Sequence, residues 1–279
     1  MKSTWTGERL ETDVFTSNAS EHLHRYAIAA GLVPGKRVLD IACGEGYGSN
    51  LLSGTAASVI GVDIDVDTIV AAQKKYRRAN LVYKQGSAAA IPLETASVDV
   101  VVSFETIEHH DKHEEMMQEI KRVLVPGGVL LMSSPNRKNY ANGYTNPFHV
   151  KELYKEEFVA LLQKHFRHTQ MLSQLYCEAS WVFPDVPGTN LELESFSGDY
   201  LTLLKRNFHE MALYNVGLAS DQSLPMLGAS TFENRDFNKR RLEELRNSYE
   251  YSMSFRIGKA VTYPGRLLRA ALRRVEAAF

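Results

Sequence analysis

The chain has 279 residues, of which 44% are hydrophobic and 23% are charged. This is the composition of a globular protein with a sizeable core, and it excludes a chain that is disordered throughout. The 32 Lys and Arg residues are balanced by 33 Asp and Glu residues, which gives a net charge of -1. Because so balanced a chain has no overall positive field, we expect no nucleic-acid partner.

The cysteine content and the N-terminal sequence indicate an intracellular protein. Two cysteines, Cys43 and Cys177, are too few for a secreted fold that is held together by disulfides. No apolar run approaches the ~20 residues that a membrane-spanning helix needs. The first residues are polar and do not lead into the apolar core of a secretory signal. We therefore expect a cytoplasmic protein.

The first predicted element is a helix over residues 19–31, which follows a polar segment over residues 1–18. We interpret that segment as an N-terminal arm or lid. The apolar residues of the helix recur at helical spacing, and Gly31 is its predicted end. The predicted apolar face consists of Leu23, Tyr26, Ala27 and Ala30.

The next part of the chain alternates between predicted strands and predicted helices. The predicted strands are apolar runs over residues 37–42, 57–62, 81–84, 98–104 and 128–133. The predicted helices between them cover residues 47–53, 67–78 and 112–124. Several strands are apolar at consecutive positions, as in a parallel sheet that is covered on both faces. The alternation predicts an α/β protein with a doubly wound, Rossmann-like sheet.

The pattern is less regular after residue 150. A helix over residues 155–165 and strands over residues 169–176 and 212–219 are predicted, with an insertion over residues 177–210. We place the end of the main domain at residue 230 and predict a helical C-terminal extension over residues 231–279.

The last part of this extension is predicted to be a basic amphipathic helix over residues 264–279. Residues 251–279 contain six Lys and Arg against one Glu, a net charge of +5. Such a helix can lie on an anionic membrane, dock on a protein partner, or pack on this protein's own domain or on a second subunit. The sequence leaves these alternatives open, including a homo-oligomer and a peripheral location on the inner face of the membrane.

A glycine-rich loop after the first predicted strand is the most informative segment. Asp40 lies just before the loop, in which Gly44, Gly46 and Gly48 occupy every second position before a helix begins. Glycine lets the backbone approach a ligand closely, and the start of a helix attracts anions. The spacing does not match the dinucleotide pattern. Asp63 ends the next strand, where an acid can accept hydrogen bonds from both hydroxyls of a ribose.

These segments together resemble the class I S-adenosylmethionine-dependent methyltransferases. The loop resembles their first motif, Asp63 their ribose-binding acid, residues 97–103 their fourth strand, and residues 126–128 the Pro-Gly-Gly turn before their fifth strand. The resemblance implies S-adenosylmethionine as the cofactor. It implies a cofactor site formed by Asp40, Ala42, Gly44, Gly46, Asp63, Ile64, Ser87, Ala88 and Glu105.

The sequence departs from the family pattern at two positions of this site. Ala42 stands where the family has its first glycine. Ser87 stands where the family often has an acid that binds the adenine amino group. A serine hydroxyl and a backbone amide can still bind adenine.

Methyl transfer to an alcohol needs a base, and histidine is the natural base near neutral pH. His149, which follows the fifth strand, is the first candidate, and His109, which follows the fourth strand, is the second. The alternative for His149 is a structural role in its loop. The remaining histidines that we expect at the surface are His22, His24, His113, His165, His168 and His209.

The segment around His109 also has a spacing that is typical of metal ligands. Glu105, Glu108 and His109 would share one face of a helix. Some quinone methyltransferases with a similar segment are thought to use a metal there. The simpler interpretation is that Glu105 and Glu108 hold the cofactor loop by hydrogen bonds, and we expect no bound metal.

A narrower resemblance concerns the acceptor. Residues 6–10, 22–26, 42–48 and 103–109 are similar to methyltransferases that are encoded with bacterial surface-polysaccharide enzymes, and residues 255–259 to O-antigen assembly proteins. This resemblance implies a sugar or glycan hydroxyl as the acceptor. Two alternatives stay open: an O- or C-methyltransferase acting on a quinone or natural product, and a non-catalytic cofactor-binding module of a glycan-assembly complex.

Overall fold

The computed structural model describes residues 19–140, 146–176, 195–198, 203–206 and 211–232, and seven further residues outside these ranges. The chain divides into two compact units, residues 1–232 and residues 233–279. The predicted basic helix lies outside the described residues, as do most of the N-terminal arm and most of the 177–210 insertion. Within the described residues no helix combines the length and apolar character that crossing a bilayer requires.

The described helices and strands follow the predicted order. The helices are α1 (Ala19–Leu32), α2 (Tyr47–Leu52), α3 (Val66–Lys75), α4 (His113–Val123), α5 (Arg137–Tyr140) and α6 (Lys155–His165). The strands are β1 (Arg37–Ile41), β2 (Ser58–Asp63), β3 (Leu81–Gln85), β4 (Val98–Ser103), β5 (Leu124–Pro135), β6 (His168–Gln174), β7 (Ser195–Gly198), β8 (Leu203–Arg206) and β9 (Tyr214–Ser220).

Seven strands form one sheet in the order β3-β2-β1-β4-β5-β9-β6. The first five strands are parallel to their neighbours, and β9 runs antiparallel between β5 and β6. This arrangement confirms the predicted doubly wound α/β fold. The strands β7 and β8, within the predicted insertion, pair separately as an antiparallel two-stranded sheet.

Both faces of the sheet are buried, as the consecutive apolar residues predict. In β1, Leu39 belongs to a core cluster that includes Met116 and Phe158 of α4 and α6. Its neighbour Val38 belongs to the opposite cluster, which includes Ala29 of α1. Adjacent residues of a strand point to opposite faces, so helices must cover both sides of this sheet.

The apolar face predicted for α1 was partly wrong. Ala27 is exposed, whereas Glu21 and Arg25 are buried together with Tyr26 and Ala29. The prediction assumed that charged residues face water. In this helix a charged pair faces the interior, next to the carboxyl end of β4.

The Pro-Gly-Gly segment was predicted as a turn before the fifth strand, but it lies inside β5. Val98 pairs with Leu124 and Val100 pairs with Val129, so β5 carries extra residues at this irregularity. Gly127 lies within these extra residues, and its backbone φ of 79° is in the left-handed region that favours glycine.

Close packing between β9 and α6 yields a test of the core. A Cβ atom at Gly217 would lie 3.1 Å from Phe158 Cε1 and closer still to Leu162, and both side chains are fully buried. Gly217→Ala should therefore lower the free energy of unfolding by about 1–3 kcal/mol. Gly228→Ala is the control, since open space surrounds that position. Equal stability of the two variants in urea unfolding would contradict this packing.

Candidate active site

The candidate site lies at the carboxyl edge of the parallel strands. The strand order reverses between β1 and β4, and ligands of doubly wound sheets bind at such a switch point. The loop after β1, Asp63 at the end of β2 and Glu105 just after β4 all lie at this edge. The predicted cofactor residues therefore come from neighbouring strand ends.

Asp63 joins the end of β2 to the loop. Its Oδ2 atom accepts a hydrogen bond from the Gly44 amide at 2.9 Å, and its Oδ1 atom accepts one from the Asp65 amide at 3.0 Å. Gly44 has a φ of 53°, and the space that a Cβ atom would occupy there is open. This open backbone beside a carboxylate fits a ribose-containing cofactor.

Gly46 has a packing role that the sequence did not predict. A Cβ atom there would lie 2.6 Å from the hydroxyl of Tyr83 on β3, and the predicted contact of the Gly46 backbone with the ligand stays a prediction. That hydroxyl donates a hydrogen bond of 2.8 Å to the Gly46 carbonyl. Together with its φ of 87°, this contact shows that Gly46 is needed for packing the loop onto β3.

Ala42 adopts the backbone conformation that the family's glycine would provide. Its φ is 60°, in the left-handed region, where a residue with a Cβ atom is strained by about 1 kcal/mol or more. The amide of Cys43 donates to the Val62 carbonyl at 2.9 Å, and this bond helps to hold the loop in place.

Asp40 lies beneath the loop, almost fully buried. Its carboxylate accepts hydrogen bonds from Ser49 Oγ at 2.7 Å and from the Tyr26 hydroxyl at 3.2 Å. Burial raises the pKa of Asp40 to about 7, although these two hydrogen bonds lower it. The described contacts thus tie β1 to α1 and α2, and direct binding of the cofactor by Asp40 stays a prediction.

The remaining predicted cofactor residues follow β2 and β3. Ile64 is 67% exposed directly after Asp63. Ser87 Oγ accepts a hydrogen bond from the Ala89 amide at 3.2 Å, and Ala88 packs against the core. Their contacts with adenine stay predictions.

One residue of the N-terminal arm reaches the loop. The Thr12 amide donates to Glu45 Oε2 at 2.7 Å, and Lys75 of α3 forms an ion pair with the same Glu45 carboxylate. Glu45 lies between the two glycines of the loop, so this part of the arm is anchored at the candidate cofactor site.

Glu105 turns away from the metal cluster that the sequence raised as an alternative. Ser133 Oγ donates to its Oε1 atom at 2.6 Å, and Arg25 Nη1 lies 3.7 Å from that oxygen. The predicted grouping with Glu108 and His109 assumed an α-helix. The chain instead has a left-handed Glu105, with a φ of 50°, and a short 3-10 turn over Ile107–His109.

Arg25 is the main site residue that the sequence reasoning missed. It is fully buried, and Nη1 donates to Gln174 Oε1 at 2.7 Å, while Nε and Nη2 have no hydrogen-bond partner among the described residues. Its guanidinium lies 4.7 Å from the ring centre of Tyr214. The signal in the sequence was the acid Glu21, which lies one helical turn before Arg25. In the structure, burial raises the pKa of Glu21 to about 7, while the neighbouring Arg25 lowers it.

The two predicted catalytic histidines come together. The rings of His109 and His149 meet edge to face at 5.1 Å. Nδ1 of His109 lies 3.1 Å from the Phe148 carbonyl, and Nδ1 of His149 lies 2.6 Å from Glu152 Oε1. Glu152 is a further residue that the sequence did not single out.

Glu108 joins this pair through backbone and side chain. Its carbonyl accepts hydrogen bonds from the amides of Val150 at 2.7 Å and Lys151 at 3.0 Å, which hold the His149 loop against the 3-10 turn. Glu108, His109 and His149 each have one potential ligand atom within 4.8 Å of those of the other two residues. We call these three residues the Glu-His-His cluster.

The prediction that the other histidines lie at the surface was only partly correct. His113 is buried, with Nε2 2.8 Å from the His110 carbonyl. His168 is exposed, and His209 lies outside the described residues. The half-buried ones are His22, His24 and His165.

Comparison with known proteins agrees with this geometry. Residues 39–132 match the family model described as "Methyltransferase domain". A solved S-adenosylmethionine-dependent methyltransferase from Archaeoglobus fulgidus has a similar fold, with a TM-score of 0.51 and 21% identity over 72% of this chain and 92% of that one.

Two relatives have related names. A Mycolicibacterium smegmatis protein called "Probable S-adenosylmethionine-dependent methyltransferase" is 40% identical, over 57% of this chain and 63% of its own. The "Fatty-acid O-methyltransferase" of the same organism is 33% identical, over 40% of this chain and 44% of its own. The chain thus spans less than two thirds of the length of these curated relatives.

These matches indicate the class of protein. Residues 39–132 match a methyltransferase-domain family, and S-adenosylmethionine is the cofactor that the names of the relatives indicate. The open backbone at Gly44 and the adjoining Asp63 carboxylate fit that cofactor.

The ribose assignment can be tested at Asp63. Asp63→Ala removes the carboxylate, and loss of a charged hydrogen bond costs about 1.5–3 kcal/mol, so S-adenosylhomocysteine should bind at least about tenfold more weakly in calorimetry. Asp67→Ala, which removes an exposed acid of α3, should leave the affinity unchanged. An Asp63→Ala affinity within twofold of wild type would show that the assignment is wrong.

Proposed function

We propose that the protein is an S-adenosylmethionine-dependent methyltransferase whose acceptor is a hydroxyl group. The observation that carries this proposal is the placement of two sets of groups at one edge of the sheet. The Gly44–Asp63 cradle provides a cofactor site, and the Glu-His-His cluster provides groups that can handle an acceptor oxygen and its proton. This cluster favours catalysis over a purely cofactor-binding module.

Arg25 and Glu105 complement the amino-acid end of the cofactor. Two buried N–H groups of Arg25 have no partner among the described residues and need an acceptor, and a carboxylate is the strongest one. Glu105 lies 3.7 Å from the same guanidinium and provides a negative group for an ammonium. A positive and a negative side chain side by side match the zwitterionic methionine portion of S-adenosylmethionine.

The residues of the Glu-His-His cluster act on the acceptor. When bound, S-adenosylmethionine supplies a methyl group on a positively charged sulfur. His149 is oriented by Glu152, which accepts at Nδ1 and so leaves Nε2 as the basic atom. Two roles fit His149: a general base for the hydroxyl proton, and a ligand of a cation that binds the hydroxyl oxygen.

The acceptor class follows from the sequence resemblance. A sugar or glycan hydroxyl is the first candidate, and a lipid or small-molecule acceptor is the second, since one relative is named a fatty-acid O-methyltransferase. Transfer of labelled methyl to nucleotide sugars, lipid-linked glycans and fatty acids separates the two. A membrane or protein partner for the C-terminal helix, and a homo-oligomer, remain predictions of the sequence.

The role of Arg25 can be isolated with two ligands. Arg25→Met should weaken binding of S-adenosylhomocysteine at least about tenfold. It should change binding of 5′-methylthioadenosine, which lacks the amino-acid portion, less than twofold. Arg167→Met, at an exposed position, is the matched control. Equal losses for both ligands would show that Arg25 supports the fold rather than the cofactor carboxylate.

We expect substitution of His149 to lower the rate of methyl transfer and not the affinity for the cofactor. His149→Ala should cut methyl transfer by about 10²-fold or more and leave S-adenosylhomocysteine binding within twofold of wild type. His168→Ala, at an exposed position on β6, should retain full activity. If His149→Ala also retains full activity, the cluster is not the acceptor site.

A further inference from the structure

The geometry points to a divalent transition-metal site in the Glu-His-His cluster, with Glu108, His109 and His149 as its ligands. One ligand atom from each of these residues lies within 4.8 Å of the other two. At this separation, small side-chain movements are enough for all three atoms to bind the same ion. The catalytic part of this inference rests on the proposed function, whereas metal binding itself does not.

Both imidazoles are already held as metal-binding histidines are. Such a histidine usually donates its second ring N–H to a carboxylate or a backbone carbonyl, which fixes the ring and the tautomer. In this structure Glu152 Oε1 lies 2.6 Å from Nδ1 of His149, and the Phe148 carbonyl lies 3.1 Å from Nδ1 of His109. In this arrangement Nε2 of each ring would be the atom that binds the cation.

The surroundings provide rigidity and charge for a cation. Glu108 is only 1% exposed, and the His149 and Glu152 side chains are 6% and 13% exposed. The two carboxylates balance a divalent charge. A bound cation would displace the Asn146 amide, which lies 3.0 Å from Nε2 of His149.

The donor set selects the type of metal. Two imidazole nitrogens and one carboxylate suit Zn²⁺, Co²⁺ or Fe²⁺ better than Mg²⁺ or Ca²⁺, which prefer oxygen donors. Three protein ligands leave at least one coordination position open, as in catalytic zinc sites. An acceptor hydroxyl fits that position.

A cation at this site would make a hydroxyl acceptor more acidic, and so a better nucleophile. A cation bound there would lower the pKa of the acceptor hydroxyl and so favour transfer of its proton to solvent water. The acceptor oxygen then forms the bond to the methyl carbon while the carbon–sulfur bond breaks, and the bonding pair stays on sulfur. In this scheme the histidines act as ligands rather than as free bases.

Metal binding can be measured without any activity. The full chain, treated with EDTA and dialysed, is titrated with Zn²⁺ in a calorimeter and with Co²⁺ in a visible spectrometer. We expect one equivalent to bind, with a Co²⁺ absorption typical of nitrogen and oxygen ligands. His149→Ala and Glu108→Gln should abolish that absorption, and Glu152→Gln should weaken binding about 10–100-fold.

Matched variants separate this site from adventitious binding. His168→Ala, which removes an exposed histidine, should bind one equivalent like wild type. Asn146→Ala should bind at least as tightly, because it removes the group that competes for Nε2. Failure of Zn²⁺ and Co²⁺ to bind, or a Co²⁺ absorption unchanged in His149→Ala, would overturn the inference.

The same preparations keep the two proposals distinct. A chain that binds S-adenosylhomocysteine and transfers methyl groups in excess EDTA contradicts the catalytic role of the metal and leaves the methyltransferase function standing. A chain that binds one Co²⁺ through His149 but binds no S-adenosylhomocysteine supports the metal site and contradicts the proposed function.

Discussion

The hydrogen bonds from backbone amides to the Asp63 carboxylate are the constraint on which the candidate site depends. They fix the loop after β1 against the end of β2. The loop can follow this path only because Ala42, Gly44 and Gly46 all adopt a positive φ. The open side of Gly44 is thereby presented next to a carboxylate, an arrangement that fits the proposed binding of a ribose-bearing ligand.

A second constraint is the charge that α1 carries into the interior. Arg25 and Glu21 are buried against the end of β4, where Arg25 lies near Glu105 and over the ring of Tyr214. Burying such groups is costly unless they are paired. Among the described residues, two N–H groups of Arg25 have no partner, which agrees with the proposal that a charged ligand binds there.

The sequence predicted the sheet and most of the cofactor loop because these depend on local patterns. Consecutive apolar residues mark strands that are covered on both faces, and an acid after each of two strands marks the ligand edge. The Glu-His-His cluster could not be predicted in the same way. It depends on the left-handed turn at Glu105 and on the His149 loop, which long-range hydrogen bonds to the Glu108 carbonyl hold in place.

The matched domain contains only part of the candidate site. The matched domain ends at residue 132, and it contains Asp63 and the glycine loop but neither Arg25 nor His149. Asp63, proposed to bind the ribose, lies at a regular strand end, whose geometry the fold dictates. Two further proposed contacts lie outside the matched domain: Arg25 of α1 for the amino-acid end of the cofactor, and His149 of the loop after α5 for the acceptor. We therefore expect acceptor identity to depend on residues such as His149 that lie beyond the matched domain.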